Sequence, residues 1–175
     1  MELKQAKYES EWKIANEILN ATVHYLYSIG KPLWTEEQIS IDGLKNSYKL
    51  NELHFVIEND EPIGVVFLQT SDPIFWPEIA GGGSLFFHKL AMHPKYMGKK
   101  KGNKVVELIV EHAIKNDFTW IRLDCNDRQE LLQFYQNNGF SYVDTKIIEG
   151  FNTARHQLLT TNFTRQQGPA GPCCV

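Results

Sequence analysis

Residues 85–125 constrain the fold of this chain more than any other stretch. Residues 85–92 read Leu-Phe-Phe-His-Lys-Leu-Ala-Met, a short, largely apolar run with the character of a buried strand. Pro94 ends it, and a loop carrying Gly98 and Gly102 leads into residues 103–116, where Val106, Ile109, Val110 and Ala113 share one helical face. Residues 120–125, Trp-Ile-Arg-Leu-Asp-Cys, form another buried strand. Strand, packed helix and strand in succession predict a crossover inside one sheet, with the helix laid against a face.

The remaining elements fill in that sheet. Residues 2–7 predict a short opening strand. Between residues 9 and 29, Trp12, Ala15, Ile18, Leu19, Val23 and Leu26 recur at helical spacing, and Gly30, Lys31 and Pro32 stop the helix. Thr35-Glu36-Glu37-Gln38 reads as a capping box for a second helix, broken at Gly43 and continuing toward Tyr48. Residues 54–58 and 63–69 form a hairpin about Asn59-Asp60-Glu61-Pro62, and residues 71–83 are loop. Asp127-Arg128-Gln129-Glu130 caps a helix to Asn138, with Gly139 as its left-handed stop, before late strands at 140–148 and 154–161. The fold class is therefore α/β, a single mixed, mostly antiparallel sheet with helices on both faces. Residues 1–163 make one domain, and the period-free residues 164–175 a flexible tail.

Composition narrows the class of function. A chain of 175 residues, 42% hydrophobic, can bury a core unaided, and its net charge of −3 disfavours general nucleic-acid binding. No apolar run approaches the ~18 residues of a membrane span, and the N-terminal residues lack the apolar core of a signal peptide. Three cysteines, with Cys173 and Cys174 adjacent, are no disulfide framework. These features predict a cytoplasmic protein with no membrane partner. His93 and His112 fit no metal-ligand spacing, so no metal is expected.

The loop after Pro94 carries the first chemical signal. The first N–H groups of a helix lack internal acceptors and carry partial positive charge, which suits an anion such as pyrophosphate. Lys99, Lys100 and Lys101 add charge there, as they would in a merely solvated loop or in a contact with nucleic acid or an acidic protein.

Two motifs then point to a family. Leu90-Ala91-Met92-His93-Pro94 before the loop, and Phe134-Tyr135-Gln136-Asn137-Asn138-Gly139-Phe140 after it, resemble the acetyl-CoA core of the GNAT (GCN5-related N-acetyltransferase) superfamily. The resemblance covers nearly the whole of residues 1–163. The loop departs from the family pattern: Met97 stands where Gln or Arg is usual, Lys100 replaces the first motif glycine, and Gly102 keeps the second. The resemblance implies a cytoplasmic N-acetyltransferase using acetyl-CoA as acetyl donor. Its acceptor would be a small-molecule or peptide amine, and a homodimer is left open. A non-catalytic acyl-CoA binder is the alternative that the altered loop suggests.

The same resemblance implies roles. The backbone at Leu90, Ala91 and Met92 would pair with the pantetheine arm and polarise the thioester. Gly98, Lys99, Lys100, Lys101, Gly102 and Asn103 would hold the pyrophosphate, and Asn126 would reach the pantetheine. Tyr135 matches the general acid for the departing thiolate, and a phenol with a pKa near ~10 is suited to that task. His88 and Asp124 are the candidate bases for the amine, beside ordered water. In the acceptor region, Glu36, Glu37, Asp72 and Glu78 would favour a cation, while Trp34, Phe75 and Trp76 would line an apolar wall. Cys125 is expected to be an inert core thiol.

Overall fold

The computed structural model of the chain describes residues 1–79, 81–98, 101–148 and 150–163. The elements are β1 (Glu2–Gln5), α1 (Glu11–Ser28), α2 (Glu36–Ile39), α3 (Ile41–Ser47), β2 (Leu53–Glu58), β3 (Glu61–Gln69) and β4 (Ser84–Met92). They continue with α4 (Lys101–Lys115), β5 (Trp120–Asn126), α5 (Gln129–Asn137), β6 (Ser141–Ile148) and β7 (Phe151–Leu159). The expected order holds, and the late strand predicted from residue 154 begins three residues earlier. The expected tail, with Cys173 and Cys174, lies outside the described residues, as do Lys99 and Lys100. No described helix is long and apolar enough to cross a membrane.

The seven strands form one sheet in the order β1-β2-β3-β4-β5-β7-β6. Only β4 and β5 run parallel, as the crossover through α4 requires. The β2–β3 hairpin closes on Asn59 and Asp60, both with positive φ (52° and 62°), the geometry of a two-residue turn that matches strand twist. One face of the sheet packs on α4 and α5 through Val106, Ile109, Val110, Phe87, Leu123 and Phe140. The other packs on α1–α3 through Trp12, Leu19, Ile39, Leu44 and Phe67. Helices on both faces of a mostly antiparallel sheet are the predicted architecture.

Two helix boundaries differ from expectation for local reasons. The capping box at Thr35 forms with both arms, but the helical run breaks at Ser40, not at Gly43. Ser40 turns extended, and its Oγ accepts from the Gly43 N–H at 3.0 Å and donates to the Glu37 carbonyl at 2.8 Å. Gly43 lies inside α3, at a close approach where a Cβ would sit 2.1 Å from the Glu37 carbonyl oxygen. In α5 the N-cap is Arg128, with no side-chain cap. Its N–H donates to Asn126 Oδ1 at 3.2 Å, while Asp127 instead accepts from Asn152 at 3.0 Å.

A bulge in β4 shapes the centre of the sheet. Phe67 pairs with His88 and Val65 with Ala91, so Val66 faces two residues, Lys89 and Leu90. Lys89 takes up the extra length with a left-handed backbone, φ 47°, a conformation that costs a side-chain-bearing residue ~1–2 kcal/mol. Phe87, Leu90 and Met92 still pack toward α4 and α5, and Ala91 toward α1. The parallel ladder joins Ser84–Phe87 to Trp120–Leu123 and goes no further. Beyond it β4 and β5 no longer pair, which leaves a gap in the ladder between their C-terminal ends.

Gly64 lets β3 approach this distorted strand. A Cβ on it would lie 2.6 Å from Met92 Sδ and 2.8 Å from the Ala91 carbonyl oxygen. Gly64→Ala is therefore expected to lower stability by about 1–3 kcal/mol, the usual cost of overpacking, as read by urea unfolding.

Candidate active site

Residues from three segments meet at the gap on its α1–α3 side. The bulge brings two successive side chains, His88 and Lys89, out on that side, and β5 contributes Asp124. The loop after β3 contributes Asp72. His88 is only 8% exposed. Its Nδ1 lies 3.0 Å from Asp124 Oδ1 and its Nε2 3.6 Å from Asp72 Oδ2, so the imidazole bridges two carboxylates. These are charge contacts rather than aligned hydrogen bonds: His88 Nε2, Asp72 Oδ2 and Asp124 Oδ1 are buried and otherwise unpartnered. Burial opposes charging of His88, but pairing with Asp124 and the field of Asp72 outweigh it and raise its pKa. Burial likewise raises the Asp72 pKa, against the pull of His88.

The expectation of no metal site did not foresee this grouping. Its three donor groups lie within 4.8 Å of one another and would also suit a cation. With an imidazole nitrogen turned to each carboxylate, a protonated His88 supplies the positive charge between them.

The Asp72 loop is held from outside. The Asp72 carbonyl accepts from Trp76 N–H at 2.9 Å and its Oδ1 from Phe75 N–H at 3.0 Å. Trp76 is buried between two guanidiniums, Arg155 at 4.4 Å and Arg122 at 5.5 Å from the ring centroid. Arg155, itself buried on β7, donates to both Asp144 oxygens at 2.7 Å, to Glu78 at 2.6 Å and to the Phe75 carbonyl at 2.9 Å. Trp76 and Glu78, expected near the acceptor, are thus committed to this clamp. Arg122 bonds Ser84 and stacks beside Trp120 at 5.1 Å, and Asp124 turns to His88 instead of to it.

Aromatic rings surround the imidazole. Phe75 lies 6.1 Å and Tyr48 6.2 Å from the His88 ring, and Tyr48 stacks on Phe67 at 4.0 Å. Burial, with the charges of Asp124 and Asp72, keeps the Tyr48 phenol protonated. Lys89 Nζ stands 5.1 Å from the Trp34 ring centroid, and burial pushes its pKa down to about 8 against the pull of Asp124. Tyr48 and Lys89 escaped the sequence analysis, because neither belongs to a motif and only the fold brings them beside His88.

Across the sheet, Tyr135 is buried among Phe87, Phe134, Phe140 and His156, with ring centroids 5.1–6.1 Å away. Burial, with smaller contributions from Cys125 and Asp124, raises its pKa and keeps the phenol protonated. Cys125, whose Sγ is 4.0 Å from His156 Nδ1, is pushed up to about 12, chiefly by burial, and stays a thiol.

The loop-to-helix residues are arranged as follows. The Lys101 N–H donates to the Gly98 carbonyl at 3.1 Å, and its ammonium is paired with Glu58. Gly98 is left-handed, φ 86°, with open space where a Cβ would be. Gly102 lies under Phe134, where a Cβ would press on the ring at 3.2 Å and 3.3 Å. Asn103 accepts from Asn138 at 3.4 Å, which ties α4 to α5. Leu90, Ala91 and Met92 line the β4 side of the gap, and the Met92 carbonyl accepts from Thr22 at 3.1 Å. Asn126 stands at the end of β5.

Comparison with known proteins bears on these elements together. Residues 50–142 match the family described as acetyltransferase (GNAT) domain. No curated protein sequence matches the chain significantly. Among solved structures, the aminoglycoside acetyltransferase AAC(6')-Ib with paromomycin and acetyl-CoA aligns at a TM-score of 0.71 and 20% identity, over 97% of this chain and 98% of that one. The same protein with coenzyme A and kanamycin aligns at 0.68 and 20%, over 90% and 94%. A GNAT-family acetyltransferase from Listeria monocytogenes 4b F2365 aligns at 0.69 and 18%, over 89% and 94%. At these identities the likeness is one of fold.

The clamp on the Asp72 loop predicts a measurable cost. Arg155→Met removes its bonds to Asp144, Glu78 and Phe75 and one cationic face of Trp76. Stability should fall by about 2 kcal/mol, because Asp144 and Glu78 are half-exposed and recover water, with the loss read by urea unfolding.

Proposed function

Within the GNAT acetyltransferase family, to which this chain belongs, we propose that it transfers acetyl from acetyl-CoA to a primary amine by direct attack in a ternary complex. The observation that carries the proposal is the gap between β4 and β5, with a bridged imidazole on one side and a protonated phenol on the other. The acceptor is a small molecule or a peptide N-terminus. The edges of β4 and β5 beyond their ladder suit an extended, amide-bearing arm, since an unpaired strand edge takes such a partner as an added strand. The bulge at Lys89 leaves the β4 edge at Leu90 and Ala91 unpaired with β5. There a backbone N–H meets the thioester oxygen, which supports charge developing on it by ~3 kcal/mol. Pyrophosphate lies at the N-terminus of α4, where the helix dipole suits an anion. Lys101 is spent locally, its ammonium on Glu58 and its N–H on the Gly98 carbonyl, so the anion falls to the backbone of the residues that follow it.

Proton movement follows from the two faces. An alkyl ammonium must lose a proton before attack. His88 accepts it while Asp124 and Asp72 stabilise the imidazolium that forms. The amine nitrogen bonds to the carbonyl carbon, the carbon–sulfur bond breaks, Tyr135 gives the departing thiolate its proton, and the second proton shed by the new amide nitrogen restores the Tyr135 phenol by way of water. Asn126, Gly98, Gly102 and Asn103 line the donor side.

Because a protonated imidazole cannot act as a base, activity should rise with pH through the His88 pKa, which lies above that of an ordinary histidine. Asp124→Asn removes the charge that raises it and should move this limb of the pH–rate profile to lower pH. A limb that stays in place would exclude His88 as the titrating base.

Tyr135→Phe keeps the buried ring and removes its proton. The expected result is a fall in kcat of ~100-fold or more with melting temperature and CoA affinity retained, read by thiol release. Undiminished turnover, with chemistry shown to limit the rate, would return Tyr135 to packing. Tight CoA binding without turnover on any amine would make the chain an acyl-CoA binder.

A further inference from the structure

The charge balance and the walls of the acceptor side together indicate what kind of amine can enter. Two carboxylates face the gap there, Asp72 and Asp124, and both lie against the single imidazole of His88. A cation stands beside them, since Lys89 follows His88 on the bulge and feels the charge of Asp124. Glu52, whose charge reaches Tyr48, is occupied by the Lys49 N–H at 2.8 Å and Gln69 at 3.1 Å. Glu36 and Glu37 are exposed on α2, with His24 3.9 Å from Glu36. With His88 neutral, as a base must be, the acceptor side holds two carboxylates against one cation, Lys89, and can balance one further ammonium. Around them stand the rings of Trp34, Tyr48 and Phe75.

We propose that the acceptor is an aromatic or otherwise apolar monoamine, and that Lys89 is the residue that turns polycationic amines away. The inference rests on acetyl transfer at this site and names its substrate class. A monoamine brings one ammonium, which loses its charge when His88 takes the proton, and its apolar body replaces water against the three rings. A polycation brings further ammonium groups that find no unmatched carboxylate among these buried groups and meet the Lys89 ammonium at short range. Like charges brought together in a partly desolvated site repel far more strongly than in water. Lys89 keeps its charge through neutral pH, since its pKa is about 8. It also holds a backbone conformation, φ 47°, that glycine would adopt without strain.

The test uses the full chain at pH 7 with acetyl-CoA and four probe amines: 2-phenylethylamine and tyramine against spermidine and kanamycin. The two monoamines should show kcat/KM at least ~10-fold above the two polycations. Lys89→Gly, which suits the bulge geometry and removes the charge, should raise the polycation-to-monoamine ratio of kcat/KM by ~10-fold. Lys89→Arg should leave that ratio near its wild-type value, because the charge remains. Calorimetric titration of the same amines into CoA-loaded protein separates this inference from the reaction itself. Monoamines that bind in preference but are never acetylated would uphold the specificity and sink acetyl transfer. A preference for spermidine or kanamycin in either measurement, a ratio unmoved in Lys89→Gly, or no binding by any of the four would overturn the inference.

Discussion

One extra residue in β4 organises this protein. Antiparallel pairing with β3 survives on both sides of Lys89, but the bulge turns the strand so that it leaves β5 after Phe87 and Leu123. Without that turn β4 and β5 would zip together to their ends. The hydrogen-bonding groups that can receive an extended ligand would then be spent on each other. The cost is a lysine held left-handed, ~1–2 kcal/mol, set against an open sheet edge in the middle of the molecule.

The bulge also decides which side chains meet. Strand alternation would send His88 and Lys89 to opposite faces, whereas here both emerge toward α1–α3 while Phe87 and Leu90 pack on the other side. The two sides of the gap consequently differ in chemistry. Toward α5 the surroundings are apolar, and burial keeps Tyr135 and Cys125 protonated. Toward α1 the surroundings are ionic, and carboxylates raise the His88 pKa despite its burial. A phenol and an imidazole are thereby held apart by the thickness of one sheet, each tuned by what packs around it.

Much of this was legible in the chain itself, because it rests on local rules. The crossover, the hairpin at Asn59-Asp60, the capping box at Thr35 and the stop at Gly139 each follow from residue type and spacing. Tyr135, His88 and Asp124 stood out through motif position. What stayed hidden depends on distant residues. Nothing near Asp72 says that its carboxylate turns to His88, because the arginine that anchors its loop lies on β7. Lysine is a poor marker of left-handed backbone, so the bulge left no signature. Gly43 read as a break but is a close-approach residue, and the break belongs to Ser40, whose hydroxyl does the capping. Gly102 read as a phosphate glycine, and it is also the space that Phe134 needs.

The short parallel ladder has a consequence for how the molecule assembles. Strands β1 to β4 form one continuous antiparallel meander, and β5, β7 and β6 form a second antiparallel set with β7 inserted between β5 and β6. Between them the strand pairing is limited to the ladder from Ser84 to Phe87, joined by the core under α4 and α5 and by side-chain bridges such as Arg155 to the Phe75 carbonyl. His88, Lys89 and Asp72 belong to the first unit or the loop extending it, while Asp124 and Tyr135 belong to the second. The seam between the two strand sets is therefore also where the residues of the candidate site meet. A shift of one set against the other would part Asp124 from His88 and Asp72 while each set kept its own ladders, so the geometry of the site depends on how the two sets are held together.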